Sequence, residues 1–334
     1  MNLIRTVGII GAGVAGLTCG RALQQAGIQV TLLEKSRGVG GRVATRRLES
    51  GVTFDHGAQY FTARDPAFQE QVDRWLAAGT VRSWMGKIVS LDRGETTDLH
   101  EERTRYVGVP GMNAIAKALA ADLKVLTNTT AVSLQRLDHW WQVIDSANQF
   151  HGPFDCLIST APAEQSTKLI ADHSQALRDQ IANVPMAPCW AVMMQIPEPV
   201  PTSFDAAFVQ HSPLSWIARN SSKPERATAD CWVLHASAAW SIAHLEESAD
   251  EIAQVLANEF WLAVGQPRRS LSHLLGHRWR YALPAEPLEH RFLLDHSTHL
   301  AVCGDWCGGP RVEGAFLSGL ALAEEILAKK DRLS

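Results

Sequence analysis

The sequence has six cysteines, yet no CxxC pair and no spacing that would frame a metal finger. Most of Cys19, Cys156, Cys189, Cys231, Cys303 and Cys307 sit in apolar runs, where a free thiol behaves as a small hydrophobe. A chain of this size needs no disulfide staples, and no metal centre is expected. No apolar run approaches the roughly twenty residues that span a bilayer. Met1-Asn2-Leu3-Ile4-Arg5 runs at once into a strand-like segment, so no export leader is expected and a reducing cytoplasm is the simplest compartment. A surplus of one charge is also missing. The formal net charge of −4 and a pI near 6.3 give no global attraction to nucleic acid or to an anionic membrane. Small molecules are the expected partners. Internal repeats and low-complexity tracts are absent too, and 334 residues at 46% apolar content suffice for two cores, or for one large discontinuous domain with an inserted one.

What is present begins with the apolar run Val7-Gly8-Ile9-Ile10, which feeds into Gly11-Ala12-Gly13-Val14-Ala15-Gly16 and then a helical stretch reaching Gln25. This is a dinucleotide-binding fingerprint in its strand-turn-helix context. Gly11 permits the tight turn, Gly13 lets backbone amides approach a pyrophosphate, and Gly16 lets the helix pack closely on the strand. The anion then rests on a helix N-terminus. Roughly twenty residues on, Val30-Thr31-Leu32-Leu33 ends at Glu34, placed to accept hydrogen bonds from an adenosine ribose and to disfavour a 2′-phosphate. Lys35 follows, and then Gly38-Val39-Gly40-Gly41-Arg42. Gly40 and Gly41 let the backbone press on the cofactor again, and Arg42 offers a planar cation suited to a pyrophosphate.

These motifs, with Phe54-Asp55-His56-Gly57-Ala58-Gln59-Tyr60-Phe61, resemble the flavin-containing amine oxidase superfamily, in which the acidic ribose ligand is followed by a GGR turn and a segment against the flavin. A third matching piece is Leu300-Ala301-Val302-Cys303-Gly304-Asp305, followed by Val312-Glu313-Gly314-Ala315-Phe316 at the head of the last helix. The resemblance implies FAD as cofactor, Asp305 near its ribityl or pyrophosphate portion, and a helix N-terminus at the pyrimidine edge, where reduced flavin carries negative charge. It also carries Val132, Thr160, His56, Gly57, Ala58, Gln59, Gly304, Glu313, Gly314 and Ala315 into the cofactor set. Neither Cys303 nor Cys307 sits in a context matching a covalent flavin link, so FAD is expected to be noncovalent.

The fold class expected is α/β: a discontinuous Rossmann-type FAD-binding domain over residues 1–62, 107–163 and 292–334, and a substrate domain over 63–106 and 164–291, built on an antiparallel sheet with helices lying against the flavin. A helix over 65–78 carries Phe68, Val72, Trp75 and Leu76 on one face. Asp92-Arg93-Gly94 marks a turn within a β-rich stretch. Another helix ends at Leu123, a strand follows at 124–126, and residues 130–137, 140–144 and 149–154 form a meander. A buried strand then runs up to Pro162. Tryptophans gather beyond residue 163, where the helix 249–260 places Ile252, Val255, Leu256 and Phe260 on one face.

A flavin needs little from the protein to accept a hydride beyond a substrate held beside it. Gln59 and Tyr60 are candidates to hydrogen-bond a carboxamide without titrating near neutrality, Tyr60 being equally readable as a core aromatic. His235 lies in the apolar Trp232-Val233-Leu234-His235, as a satisfied core residue or a pocket residue. Arg278-Trp279-Arg280-Tyr281 combines aromatic faces with guanidinium groups suited to stacking and phosphate recognition. The loop Arg219-Asn220-Ser221-Ser222-Lys223-Pro224 reads as a solvated surface loop or as a cap holding an anionic substrate.

Over nearly the whole chain the sequence resembles the renalase family, particularly its bacterial members. That resemblance implies oxidation of 2- and 6-dihydro isomers of NAD(P)H to NAD(P)⁺, hydride passing to flavin N5 and dioxygen reoxidising the flavin to give hydrogen peroxide. Gln59, His235 and Trp279 would orient the nicotinamide, with Tyr60 and Tyr281 beside them. Two alternatives stand: an amine oxidase acting on a small amine or polyamine, for which the few lysines offer Lys87 as the least poor match to the lysine of that branch, and a non-catalytic flavoprotein.

Overall fold

The computed structural model describes residues 4–99 and 103–331; parts of both expected domains, residues 1–3, 100–102 and 332–334, lie outside the described residues. The strand Thr6–Ile10, buried almost throughout, sits mid-sheet between Gln29–Leu33 and Cys156–Ser159. Lys124–Leu126 and Leu300–Cys303 extend this parallel core on either side, and Phe292–Asp295 closes one edge antiparallel. Continuous apolar runs are what a parallel sheet covered on both faces demands.

On one face lie the helices Val14–Gln25 and Val312–Asp331, which contact each other closely. Gly319 makes that approach possible, since a Cβ there would stand 2.2 Å from the Ala15 carbonyl oxygen. The other face buries Ile10, Leu33, Leu157 and Val302 against Leu134, Trp141 and Phe154 of the three-stranded meander. Ile170, Leu177 and Ile181, from the helices Ala163–Ile170 and Gln175–Ile181, belong to this same cluster. Phe68, Val72 and Trp75 of the helix Pro66–Ala77 join the cluster on the first face. Residues expected in the second domain therefore pack on both sides of the first sheet.

The second sheet has seven strands and is antiparallel except where Ala206–Val209 pairs parallel with Ile88–Asp92. Strand alternation divides its residues. Trp232 and Leu234 bury against the helix Ala249–Val264, whereas Cys231 and Val233 face Val52 and Phe54. His235 continues the second set by period two. The helix Ala249–Val264 thus covers the face opposite His235, so at His235 the sheet itself turns toward the first unit. Leu76 and Val255, assigned to buried faces, are exposed at 36% and 42%. Each sits one position, about 100° of helix, from a buried neighbour, Trp75 and Leu256. The turn at Arg93-Gly94 has both residues at positive φ, 48° and 88°, as a tight hairpin requires. Among the described residues no helix is long and apolar enough to cross a membrane.

Candidate functional site

The first glycine turn is shaped by what a side chain would strike. At Gly11, φ is +105° and a Cβ would stand 2.6 Å from Thr160 Oγ1; at Gly16 it would stand 2.2 Å from the Gly11 carbonyl. At Gly13 it would meet nothing within 4 Å, so this is the open side of the cradle. Thr160 Oγ1 donates to the carbonyls of Ile10 and Gly11, which fixes the turn rather than leaving the hydroxyl free. Glu34 is 6% exposed. Its Oε2 accepts from the Ala12 amide at 2.9 Å and its Oε1 from the Ser36 amide at 2.8 Å. Each oxygen keeps a lone pair for a ribose hydroxyl. An open glycine turn and an oriented, buried carboxylate fit an adenine dinucleotide.

The second turn lies across the first. Gly40, at φ +119°, donates its amide to the Ala12 carbonyl at 2.8 Å and bridges Gly13, and Gly41 is left-handed as well. Arg42 is not a free cation. Its guanidinium forks onto Asp305 at 2.6 and 2.8 Å and also donates to the Ala282 carbonyl, so two cofactor-set residues from opposite ends of the chain hold each other. Glu313 is likewise engaged, accepting at Oε1 from the amides of Arg64 and Asp65 at 2.6 and 2.7 Å. Gly304 donates its amide to Ser318 Oγ, Ala315 donates to the Arg311 carbonyl, and Gly314 packs on the Gly309 carbonyl. Lys35 is exposed, and Val132, 51% exposed, stands at an irregularity of its strand. Burial pushes the Cys303 thiol up to about 12.

The segment after Asp55 joins the two sheets. Ala58 donates to the Arg42 carbonyl at 2.9 Å, and a Cβ on Gly57 would stand 2.1 Å from that same oxygen. The His56 carbonyl accepts from Trp279 Nε1 at 2.9 Å and from His235 Nε2 at 3.2 Å. Because a carbonyl only accepts, His235 carries its proton on Nε2 and Nδ1 is an acceptor. The His56 ring stacks on Trp279 with centroids 5.1 Å apart and meets His277 edge-on at 4.8 Å. Burial pulls the His56 pKa down to about 3, helped by His277, and burial with the nearby Lys223 charge pulls His235 to about 4 against its hydrogen bond to His56. Both imidazoles are neutral near pH 7. Tyr60 lies between Trp84 and Trp216, 6.0 and 5.9 Å from their ring centres.

Gln59 is buried, with its amide nitrogen donating to the carbonyls of Asp55 and Gly57 and its oxygen accepting from Lys223. Its polar atoms are committed within the protein. Tyr281 packs on the cluster containing Trp306, away from His235. On the strand His273–Pro284, Arg278 and Arg280 point away from Trp279 by period two and share Glu246. The phosphate-recognition reading of these arginines is thereby replaced by an ion-pair role on the opposite face. Arg219 does not cap a pocket: it pairs with Asp230 at 2.7 Å and lies over Trp232. Lys87, a surface residue, pairs with Asp98.

An ion cluster not legible in the sequence lies beside Gln59. Asp55 is fully buried and accepts from Arg226 at 2.7 Å, Lys223 at 3.5 Å, Thr45 Oγ1 at 2.8 Å and the Met112 amide at 2.9 Å. Burial pushes its carboxyl up, but Lys223 and Arg226 outweigh that and hold it below its ordinary value. Burial brings Lys223 down to about 8 despite Asp55. The polar run 219–224 reads as a surface loop or a cap, not as a buried ion cluster, and Arg226 carries no signal of its own; the available signal is a lone carboxylate between Phe54 and His56, which inside a core demands cations. Among the described residues no group of three His, Cys, Asp or Glu side chains could hold a metal.

Comparison with known proteins bears on the family and the fold. The family model of flavin containing amine oxidoreductases matches residues 83–327, and that of the NAD(P)-binding Rossmann-like domain matches residues 9–75. An L-amino-acid oxidase of Siganus canaliculatus is 42% identical over 78 residues, 23% of this chain and 14% of that protein. The bifunctional tRNA 5-methylaminomethyl-2-thiouridine biosynthesis protein of Magnetococcus marinus is 40% identical over 208 residues, covering 48% of this chain and 30% of that one. The matches thus span less than a third of these relatives' lengths. A putative protoporphyrinogen oxidase from Exiguobacterium superposes with a TM-score of 0.79 at 13% identity, over 97% of this chain and 99% of the other. A putrescine oxidase solved with putrescine bound superposes at 0.72 with 14% identity, over 97% and 99%. Those two likenesses carry the fold. With the family model covering most of the chain and the glycine cradle in place, the cofactor is FAD and the chain belongs to the flavin containing amine oxidoreductases.

Proposed function

We propose that the protein oxidises 2- and 6-dihydro isomers of NAD(P)H to NAD(P)⁺, with dioxygen as the final acceptor. Bound FAD supplies the two-electron acceptor. The observation that carries the reading is the uncharged aromatic wall: His56, His235 and Trp279 meet at one carbonyl, and burial keeps both imidazoles neutral. A planar dihydronicotinamide is itself neutral, stacks on such a surface, and needs no strong base, because losing a hydride restores its aromaticity. His235 Nδ1 suits the amide hydrogens of a carboxamide, and Trp279 supplies a ring face. An amine reaches an enzyme mainly as an ammonium ion. Here the nearest buried charges, Asp55, Lys223 and Arg226, leave one positive charge in excess, which disfavours such a guest.

Amine oxidation retains one observation in its favour. Lys223 is a fully buried lysine beside Gln59, a better match to that branch than the exposed Lys87. Anaerobic holoenzyme mixed with borohydride-treated NAD⁺, which contains the 2-, 4- and 6-dihydro forms, is expected to bleach rapidly and regenerate NAD⁺, with colour and peroxide returning in air. His235→Ala should slow bleaching while FAD content holds. Rapid bleaching by a small amine or polyamine, with none by the dihydro isomers, would transfer the assignment to amine oxidation. Bleaching by neither would leave the non-catalytic reading.

A further inference from the structure

We propose that Lys223 is a positioning residue for the substrate wall: by taking the Gln59 side-chain oxygen it aims the Gln59 amide, which turns the His56 carbonyl toward His235 and Trp279. The inference rests on the reading above in treating His235 and Trp279 as that wall. A glutamine amide has two ends of nearly equal shape, and its partners decide which points where. A lysine ammonium only donates. The end of Gln59 that meets Lys223 Nζ, at 3.2 Å, is therefore the oxygen, and the NH₂ is sent to the carbonyls of Asp55 and Gly57. Along this turn the carbonyls alternate: 55 and 57 serve Gln59, and 56 faces the other way to take Trp279 and His235 on its two lone pairs.

Neutralising Asp55 does not require Lys223. Arg226 already makes contacts of 2.7 and 3.2 Å to Asp55 Oδ2, while Lys223 stands 3.5 Å from it. The nearer partners of the ammonium are Gln59 and Asn220, both at 3.2 Å. A fully buried second cation beside a carboxylate that is already paired is a cost, and what it supplies toward the His56 turn is the direction of the Gln59 amide. Its pKa, brought to about 8 by burial, leaves it mostly charged near neutrality.

The test uses holoenzyme carrying Lys223→Met, Gln59→Leu and both, with the Trp279 indole N–H resonance assigned by its disappearance in Trp279→Phe. Each single variant should shift that resonance and speed its hydrogen exchange. Each should also raise KM for the dihydro isomers roughly tenfold to a hundredfold with FAD content maintained, and the double variant should be no worse than either single one. Should Lys223→Met not fold, Gln59→Glu keeps the contact to Lys223 but cannot donate to the two carbonyls, and it should displace the Trp279 signal equally. An unmoved Trp279 resonance in Lys223→Met or Gln59→Glu, or strictly additive losses in the double variant, overturns the proposal. If the parent is not bleached by dihydro isomers, the proposed function fails while the resonance measurement still decides this one.

Discussion

At the scale of single residues, the cofactor side is governed by groups whose partners are already in place. Glu34 is held by two backbone amides, so the carboxylate proposed to take the ribose is ordered in advance. Glu34→Ala should weaken FAD binding by about 1.5–3 kcal/mol, the range for hydrogen bonds to a charged group, as measured by titrating apoprotein with FAD. Unchanged affinity would show that the ribose lies elsewhere. The glycines and Glu34 could be read directly from sequence because their spacing is local, within one strand-turn-helix-strand unit. Asp55, Lys223 and Arg226 could not, because the pairing joins positions 168 and 171 residues apart and no periodicity reports it.

At the scale of elements, strand and helix order was legible from apolar period and turn residues, and the hairpin at Arg93-Gly94 and the meander stand where the turns predict them. Facing was less legible. Arg278 and Arg280 flank Trp279 in sequence, yet strand alternation sends them to the opposite face. Which face of that strand serves the site depends on the residues stacked above it, and these come from the segment around His56. Close approach of helices is similarly a tertiary matter. Gly319→Ala would set a methyl against the Ala15 backbone at the crossing of the helices Val14–Gln25 and Val312–Asp331. Relief requires one helix to move, at about 1–3 kcal/mol. Thermal unfolding should show the loss, and FAD occupancy should fall with it because the displaced helix carries the first glycine turn. Gly38→Ala, where a methyl meets nothing within 4 Å and φ is ordinary, should melt like the parent. Equal melting of both variants would show that the crossing tolerates the methyl.

For the whole molecule, the two sheets meet through His56 and His235, each held far below the ordinary imidazole pKa. In the unfolded chain both titrate near 6.5, so between that value and about 4 the unfolded state binds more protons than the folded one. Stability from these groups is therefore complete above pH 6.5 and is lost as the pH falls, each contributing a slope of about 1.4 kcal/mol per pH unit. Urea unfolding of holoenzyme at steps from pH 7 to 4.5 should show this decline. His235→Gln, which retains a donor to the His56 carbonyl without titrating, should flatten it by about one proton's worth. A parent profile that is flat across this window would mean that the rings are solvated. Since they bridge the sheets, their protonation should loosen the seam, with FAD released before the parallel sheet itself melts.

The fork between Arg42 and Asp305 has a bearing on biosynthesis. The strand Leu300–Cys303, Asp305 and the helix Val312–Asp331 pack on the segments that carry the first glycine turn and Arg42, the two halves of the proposed FAD cradle. While the ribosome is still adding residues beyond 300, the early segments have emerged without the partners that seat them. The proposed FAD pocket is therefore finished only once the segment from Leu300 through the helix Val312–Asp331 has been made and seated, and a chain stopped short of Asp305 would lack the partner that holds Arg42.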